Sequence, residues 1–302
     1  ASFAVLAYVS AWLKHYYPEA FYCGLLNSLP MGFYSASQLI QDAQRHQVII
    51  KPVCINQSDW DHKLEYINQK AGLRLGFRVV KGLRQVTVDK LLAFRQQQAF
   101  SHVSQLKQLH ISSNELQALA SSDCLKAIAG DRYQSRWAMM DTEHELPLFA
   151  DVAEPEKNYS VHPSAYENLI EDYASTGISL SQHPISLLRE AGQVGRYTPA
   201  SELIHVKHKT PVTVVGIVTG RQSPGTASGV TFVTLEDDTG NTNVVVWVAT
   251  ARAQKQSFLT SKVLMVKGIL EKEQQVTHVI AGKLIDLTDK FANLEVASRD
   301  FH

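Results

Sequence analysis

Val212-Thr213-Val214-Val215-Gly216-Ile217-Val218-Thr219 opens a series of apolar and β-branched segments that continues at 230–235, 244–248, 263–270 and 276–287. Such residues suit pleated, half-buried strands, and turn residues separate each segment from the next. One helical pattern, 251–258, falls between the third and fourth of them. Five strands with a helix in that interval predict a small closed barrel of the OB type. The second and third strands are joined by Glu236-Asp237-Asp238-Thr239-Gly240-Asn241. Paired carboxylates can hold Mg²⁺, but an aspartate before Thr-Gly bonds its own backbone, so a turn is expected here rather than a metal site.

A barrel of this kind offers the face of its second and third strands, and the loop after its first, to oligonucleotides. Base stacking needs exposed rings beside cations, which singles out Phe232 and Trp247. Arg221 and the loop Gln222-Ser223-Pro224-Gly225-Thr226-Ala227-Ser228-Gly229 are the candidates for following a phosphate backbone, since glycine lets main-chain amides approach closely. The alternative for both rings is a place in the core. Just upstream, His205, Lys207, His208 and Lys209 form a basic run without metal-ligand spacing, read as a solvated surface strand.

Further upstream the texture is helical. Apolar residues are dense from 3 to 26 and interrupted at Pro18, which predicts two packed helices, the second beginning at that proline. Ser35 with Gln38, Ser112 with Glu115, and Ser164 with Glu167 are spaced as capping boxes, and Pro184 opens another short helix. An extended stretch is expected at 51–55, and further helical patterns at 88–97, 103–109 and 115–120. Leu73, Leu75, Phe77 and Val79 alternate with Arg74, Gly76 and Arg78, which predicts a strand with one apolar and one basic face. From Arg45 to Lys107 there are eleven Lys/Arg against four acidic residues. Within this window Lys81-Gly82-Leu83-Arg84 precedes a helix, so backbone amides and two cations can converge on a DNA phosphate. An ordinary turn with solvated charges is the alternative, because Arg84 stands where such hairpins usually carry a second glycine. Residues 141–156 hold Asp141, Glu143, Glu145, Asp151, Glu154 and Glu156 with two prolines and no cation, the composition of a linker.

At 302 residues, 45% of them apolar, the chain is long enough for several packed domains. Lys+Arg and Asp+Glu balance at 29 each, so a surface for polyanions has to be local. Cys23, Cys54 and Cys124 make no paired spacing, and a reducing cytoplasm is the expected compartment. No apolar run is long enough for a membrane span. The chain opens at Ala1 directly on a helical pattern, and a beginning in mid-domain is expected.

Ala7-Tyr8-Val9-Ser10-Ala11-Trp12-Leu13-Lys14-His15-Tyr16-Tyr17-Pro18, Leu25-Leu26-Asn27-Ser28-Leu29-Pro30-Met31-Gly32-Phe33-Tyr34 and Asn56-Gln57-Ser58-Asp59-Trp60 resemble the C family of bacterial DNA polymerases. The Pro30–Tyr34 run, the 81–84 turn and the 221–229 loop resemble its error-prone, damage-inducible branch. The resemblance implies a multidomain α+β chain: the end of the fingers (1–70), a helix-hairpin-helix region (71–140), an acidic linker with connecting helices (141–200), an OB barrel (201–290) and a tail (291–302). It implies that nucleotidyl transfer, with Mg²⁺ on palm carboxylates, lies upstream, so no catalytic residue or metal ligand is expected here. Glu145-Leu146-Pro147-Leu148-Phe149 resembles a sliding-clamp peptide in which Gln normally stands first, making Leu146, Leu148 and Phe149 clamp candidates. In this branch the resemblance also implies a Y-family-like accessory partner. The expected role is to position primer-template and single-stranded DNA through Lys81, Gly82, Arg84, Arg221, Phe232 and Trp247. The alternatives are an OB adaptor for single-stranded nucleic acid or tRNA, and a docking surface in a mutagenesis complex.

Overall fold

Pro18 divides the first helical stretch, because it has no amide to donate and fits only where a helix has just begun. In the computed structural model α1 (Ser2–Tyr16) therefore ends before α2 (Pro18–Asn27) starts. Residues 2–31, 34–67, 70–143, 161–223, 229–273, 276–291 and 299–301 are described. They fall into two units, Ala1–Leu180 and Ser181–His302.

In the first unit, α3 (Ala36–Arg45) is opened by a full capping box, Ser35 with Gln38. A small sheet follows, with β1 (Ile49–Lys51), β2 (Lys63–Ile67) and β3 (Lys70–Arg74) in the order β1-β3-β2. Next come α4 (Gln85–Gln97), a 3-10 helix (Val103–Leu109), α5 (Ser113–Ser121), α6 (Lys126–Ala129), α7 (Arg132–Glu143) and α8 (Ala165–Ser175). The core gathers Tyr22, Leu26, Ile40, Ile55, Leu73, Phe77, Leu91, Leu106, Leu119 and Leu125.

The expected strand over 73–79 is corrected: it stops at Arg74, and Phe77–Val79 is a 3-10 turn. Leu73, Leu75 and Phe77 are all buried as the alternation requires. The basic side chains do not form an open face. Arg74 is buried, bonded to Glu65, Gln57 and the Pro52 carbonyl, and Arg78 reaches Asp61 and the carbonyls of Asn27 and Leu29. Gly76 lets the chain bend here, against the backbone of Trp60 and Asp61.

His62 fixes the same bend. Its ring is buried, and its Nδ1 accepts the Gly76 amide at 3.1 Å. Burial, reinforced by the nearby Arg78 charge, pushes its pKa down to about 4. The folded value lies below the unfolded one, so the stabilisation is complete above about pH 6.5 and is lost as pH falls towards the folded value. Lowering the pH from 7 to 5 is expected to remove about 2 kcal/mol through this group alone. Denaturant titrations at both pH values should show that loss largely absent in His62→Gln; an identical pH dependence in the variant would refute the assignment.

In the second unit α9 (Pro184–Glu190) begins at its proline, and a 3-10 helix (Ala200–His205) leads into the barrel. The strands are β4 (Pro211–Gln222), β5 (Val230–Glu236) and β6 (Asn241–Trp247). Two short helices, α10 (Val248–Ala253) and α11 (Lys255–Thr260), separate them from β7 (Val263–Glu273) and β8 (Val276–Asp286). The sheet runs β5-β6-β8-β7-β4, and β4 pairs again with β5 to close it; β9 (Arg299–Phe301) adds to β4 in parallel. This is the barrel the strand count predicted, with its helices in the expected interval. Closure removes free edges, and Val214, Val218, Val233, Leu235, Val244, Val246, Val266 and Val279 fill the inside. The Gln254 side chain ties the helices to β8, donating to the Gly282 carbonyl and accepting from the Leu284 amide.

Candidate nucleic-acid interface

In the first unit the chain turns at Gly82 with φ +82°, then enters α4 three residues later at Gln85. The same device recurs: His110 (φ 48°) precedes α5 at Ser113 by three residues, and Asp123 (φ 58°) precedes α6 at Lys126 by three. A left-handed residue reverses the backbone so that the next helix starts with its amides pointing outward. Gly82 does this without the steric penalty that a side chain adds.

The cations of the first turn are engaged within the unit. Lys81 donates from Nζ to the Tyr173 carbonyl at 2.8 Å, and its amide donates to the Ser175 carbonyl at 2.8 Å. It therefore sits on the last carbonyls of α8, where a positive charge meets the negative end of the helix. Arg84 grips Glu115 with Nε at 3.1 Å and Nη2 at 2.9 Å, yet its side chain is 74% exposed. Both cations are thus committed to partners within the unit, Lys81 to α8 and Arg84 to Glu115, while both residues stay exposed.

Glu115 is the residue that sequence reasoning undervalued. It accepts from Arg84 N, Arg84 Nε and Nη2, Thr87 Oγ1 and Ser112 Oγ, all between 2.6 and 3.3 Å. The Ser112–Glu115 spacing is thus not a capping box: the serine hydroxyl donates to the carboxylate rather than accepting from the helix. These bonds, Arg84's first, hold the Glu115 carboxyl well below the usual carboxylate range. The signal was present as a glutamate three residues after a serine, but its reach to another hairpin was not.

Most of the arginines in the wider cationic window, and one lysine, are paired in the same way. Arg45 meets Asp42, Lys63 and Arg95 meet Asp59, and Arg74 and Arg78 meet Glu65 and Asp61.

In the second unit, the strand period settles the aromatic question. Val233 and Leu235 point inward on β5, so Phe232 points outward, 39% exposed; Val244 and Val246 point inward on β6, so Trp247 points outward, 50% exposed. Val230 lies opposite Trp247 and Phe232 opposite Val245, which places both rings on one outer face. Rings fixed outward on a rigid barrel can stack bases without any loop reorganising.

Arg221 is corrected. A bulge between Val218 and Gly220 shifts the register by one residue, and Arg221 pairs with the inward-facing Val233. The extra residue turns the side chain from the outer to the inner surface. There Arg221 is buried and donates to the carbonyls of Phe258 and Ser261, fastening the end of α11. Residues 224–228 of the adjoining loop, and the clamp candidates Leu146, Leu148 and Phe149, lie outside the described residues.

The acidic turn is a turn. Asp237 Oδ1 accepts from the Thr239 and Gly240 amides at 2.7 and 2.9 Å, and its Oδ2 accepts from the Ala200 amide at 2.8 Å. Asp238 forms a two-bond pair with Arg189. Each carboxylate thereby anchors the segment that leads into the barrel. No cluster of metal-ligating side chains occurs among the described residues.

A helix-hairpin-helix unit and an OB barrel with outward rings define a chain of the nucleic-acid-binding class. The helix-hairpin-helix motif family matches residues 47–135, and the OB-fold nucleic acid binding domain family matches residues 212–287. Over its full length the chain is similar to proteins named error-prone DNA polymerase: 60% identical to that of Vibrio campbellii, 45% to that of Idiomarina loihiensis and 45% to that of Pseudomonas paraeruginosa. It spans 30% of the length of each of these relatives. The resemblance to the error-prone branch thus holds from one end of the sequence to the other.

Proposed function

We propose that this chain is the DNA-positioning segment of an error-prone DNA polymerase acting in translesion synthesis and repair. The observation that carries the reading is the outward placement of Phe232 and Trp247 on one face of a nucleic-acid-binding barrel, in a chain with end-to-end likeness to such polymerases. Unpaired template bases stack on these rings. In the first unit Arg84 can meet duplex phosphates at the start of α4, because Glu115 occupies its Nε and Nη2 and leaves Nη1 for another acceptor. Nucleotidyl transfer on Mg²⁺, in this reading, belongs to palm carboxylates elsewhere in the parent polymerase. Engagement of a sliding clamp and of a Y-family-like accessory protein, in the cytoplasm, completes the proposal.

Anisotropy of a labelled single-stranded oligonucleotide tests it. Removing one stacking ring lowers binding by about 1–3 kcal/mol, so Trp247→Ala and Phe232→Ala should each weaken affinity by roughly tenfold to a hundredfold. Thermal midpoints should barely move, since both rings stand on the outer surface. Full affinity in the double variant would overturn the reading and favour a protein-docking role for this face.

A further inference from the structure

The basic run at 205–209 plays no part in the reading above, and it is not the solvated strand its sequence suggested. Residue 205 ends a 3-10 helix, and the chain then folds into a turn closed by the Thr210 amide on the Lys207 carbonyl. That turn is bonded onto β7. The Lys209 amide donates to the Leu270 carbonyl at 2.7 Å, and the Leu270 amide returns the bond to the Thr210 carbonyl at 2.9 Å. Side chains add to the attachment: the Lys272 amide donates to His208 Nδ1 at 3.0 Å, and Lys272 Nζ donates to the Ile204 carbonyl at 2.5 Å.

We propose that His205, Lys207, His208 and Lys209, with Lys272, form a grip for the phosphodiester backbone of single-stranded DNA on the rim of the barrel. The inference rests on the nucleic-acid reading of that barrel and adds a second contact to it.

Three observations carry it. The first is a cluster of lysines outside any ion pair. Lys207 and Lys209 are exposed and Lys272 joins them from β7, with the exposed rings of His205 and His208 beside them as hydrogen-bonding groups. Of the nearby acids in sequence, Glu271 faces His278 at 3.5 Å, while Glu273 and Glu202 are exposed and pair with none of these lysines. Among the described residues, Lys207, Lys209 and Lys272 make no ion pair. Like charges held on one bonded turn and strand attract an anion laid across them.

The second is backbone strain at a lysine. Lys209 holds φ 61°, a left-handed conformation that glycine takes freely and a lysine takes at a cost of about 1 kcal/mol. Its side chain is exposed, so packing does not compensate for that conformation. The third is preorganisation. With Nδ1 occupied as an acceptor, a neutral His208 carries its proton on Nε2 and can donate it outward. A turn bonded to a barrel strand presents these donors from a fixed backbone, which leaves only side-chain ordering to be supplied on binding.

The test uses the full chain and a labelled oligothymidylate, with affinity measured across a range of NaCl concentrations. Two phosphate contacts on a single strand contribute about 1.4 to the slope of log affinity against log salt. The variant Lys207→Gln/Lys209→Gly should therefore show a slope shallower by about that amount and several-fold weaker binding at low salt. Its thermal midpoint should hold or rise, since glycine relieves the strained φ; Lys209→Gly alone should give half of the slope change. A double variant that binds oligothymidylate with the wild-type slope overturns the grip and leaves the aromatic-face reading standing. Absence of binding by the wild-type chain overturns both.

Discussion

A Gly76→Ala variant is expected to lose about 4 kcal/mol of stability, a large part of the margin of an ordinary domain. The backbone conformation is not the reason: φ −87° and ψ 163° are open to any residue. Space is the reason. A Cβ at this position would lie 2.4 Å from the Asp61 carbonyl carbon, 2.4 Å from the Trp60 oxygen and 2.5 Å from the Asp61 oxygen. All are main-chain atoms, and they are tethered. The Phe77 amide donates to the Asp59 carbonyl at 2.9 Å, the Arg78 amide to the Trp60 carbonyl at 3.1 Å, and Ser58 Oγ to the Leu75 carbonyl at 2.6 Å. Moving the 59–61 segment aside would break these bonds and open the contacts of Leu75 and Phe77, both deeply buried. Overpacking a rigid site costs several kcal/mol because nothing nearby can give way. Denaturant titration, with near-ultraviolet circular dichroism for the Trp60 environment, measures the effect. A midpoint within about 1 kcal/mol of wild type would show that the 59–61 segment yields after all.

The contrast between Gly76 and Arg221 shows which parts of this molecule its sequence discloses. Helix starts were legible because capping is local: Ser35 with Gln38 and Ser164 with Glu167 form the boxes their spacing predicts, and Pro18 and Pro184 stand at first turns. The barrel was legible because each strand carries its own pattern and turns. The outward direction of Phe232 and Trp247 was only half legible, since Val230 and Val245 are also apolar and blur the two-residue alternation. Arg221 was hidden by a single extra residue, a bulge that no local composition announces. Charge was the least legible property. The cationic excess between residues 45 and 107 ignored Asp42 and Glu115, which lie outside that window and fold back onto Arg45 and Arg84. Lys81 faces helix carbonyls contributed by residues far along the chain, Tyr173 lying 92 positions away, a partner that sequence spacing cannot reveal.

Glu115 ties these threads together, and its replacement carries the second large expectation. A Glu115→Gln side chain keeps the shape but puts an NH₂ among donors from Arg84, Thr87 and Ser112, so at least one of them loses its acceptor. Leaving such a donor unsatisfied costs about 1–3 kcal/mol, and the lost charge-assisted bonds bring the expected total to about 3 kcal/mol. The cover over this carboxylate is thin. Glu115 itself is 3% exposed, but the guanidinium above it is 74% exposed on its side chain, so water screens the ion pair and the hydrogen bonds supply most of the effect. The pH dependence follows from the direction of the shift. The folded pKa lies below the unfolded carboxylate value of about 4.3, so the stabilisation is complete above that pH and disappears as acid takes the folded group through its own, lower value. Between pH 7 and pH 5 Glu115 therefore contributes no slope, the reverse of His62, whose contribution changes in that interval. Wild type should lose stability to the variant only below about pH 4, and the two curves should converge there. Curves that stay parallel down to pH 2 would mean that the carboxylate does not hold the two hairpins together by its charge.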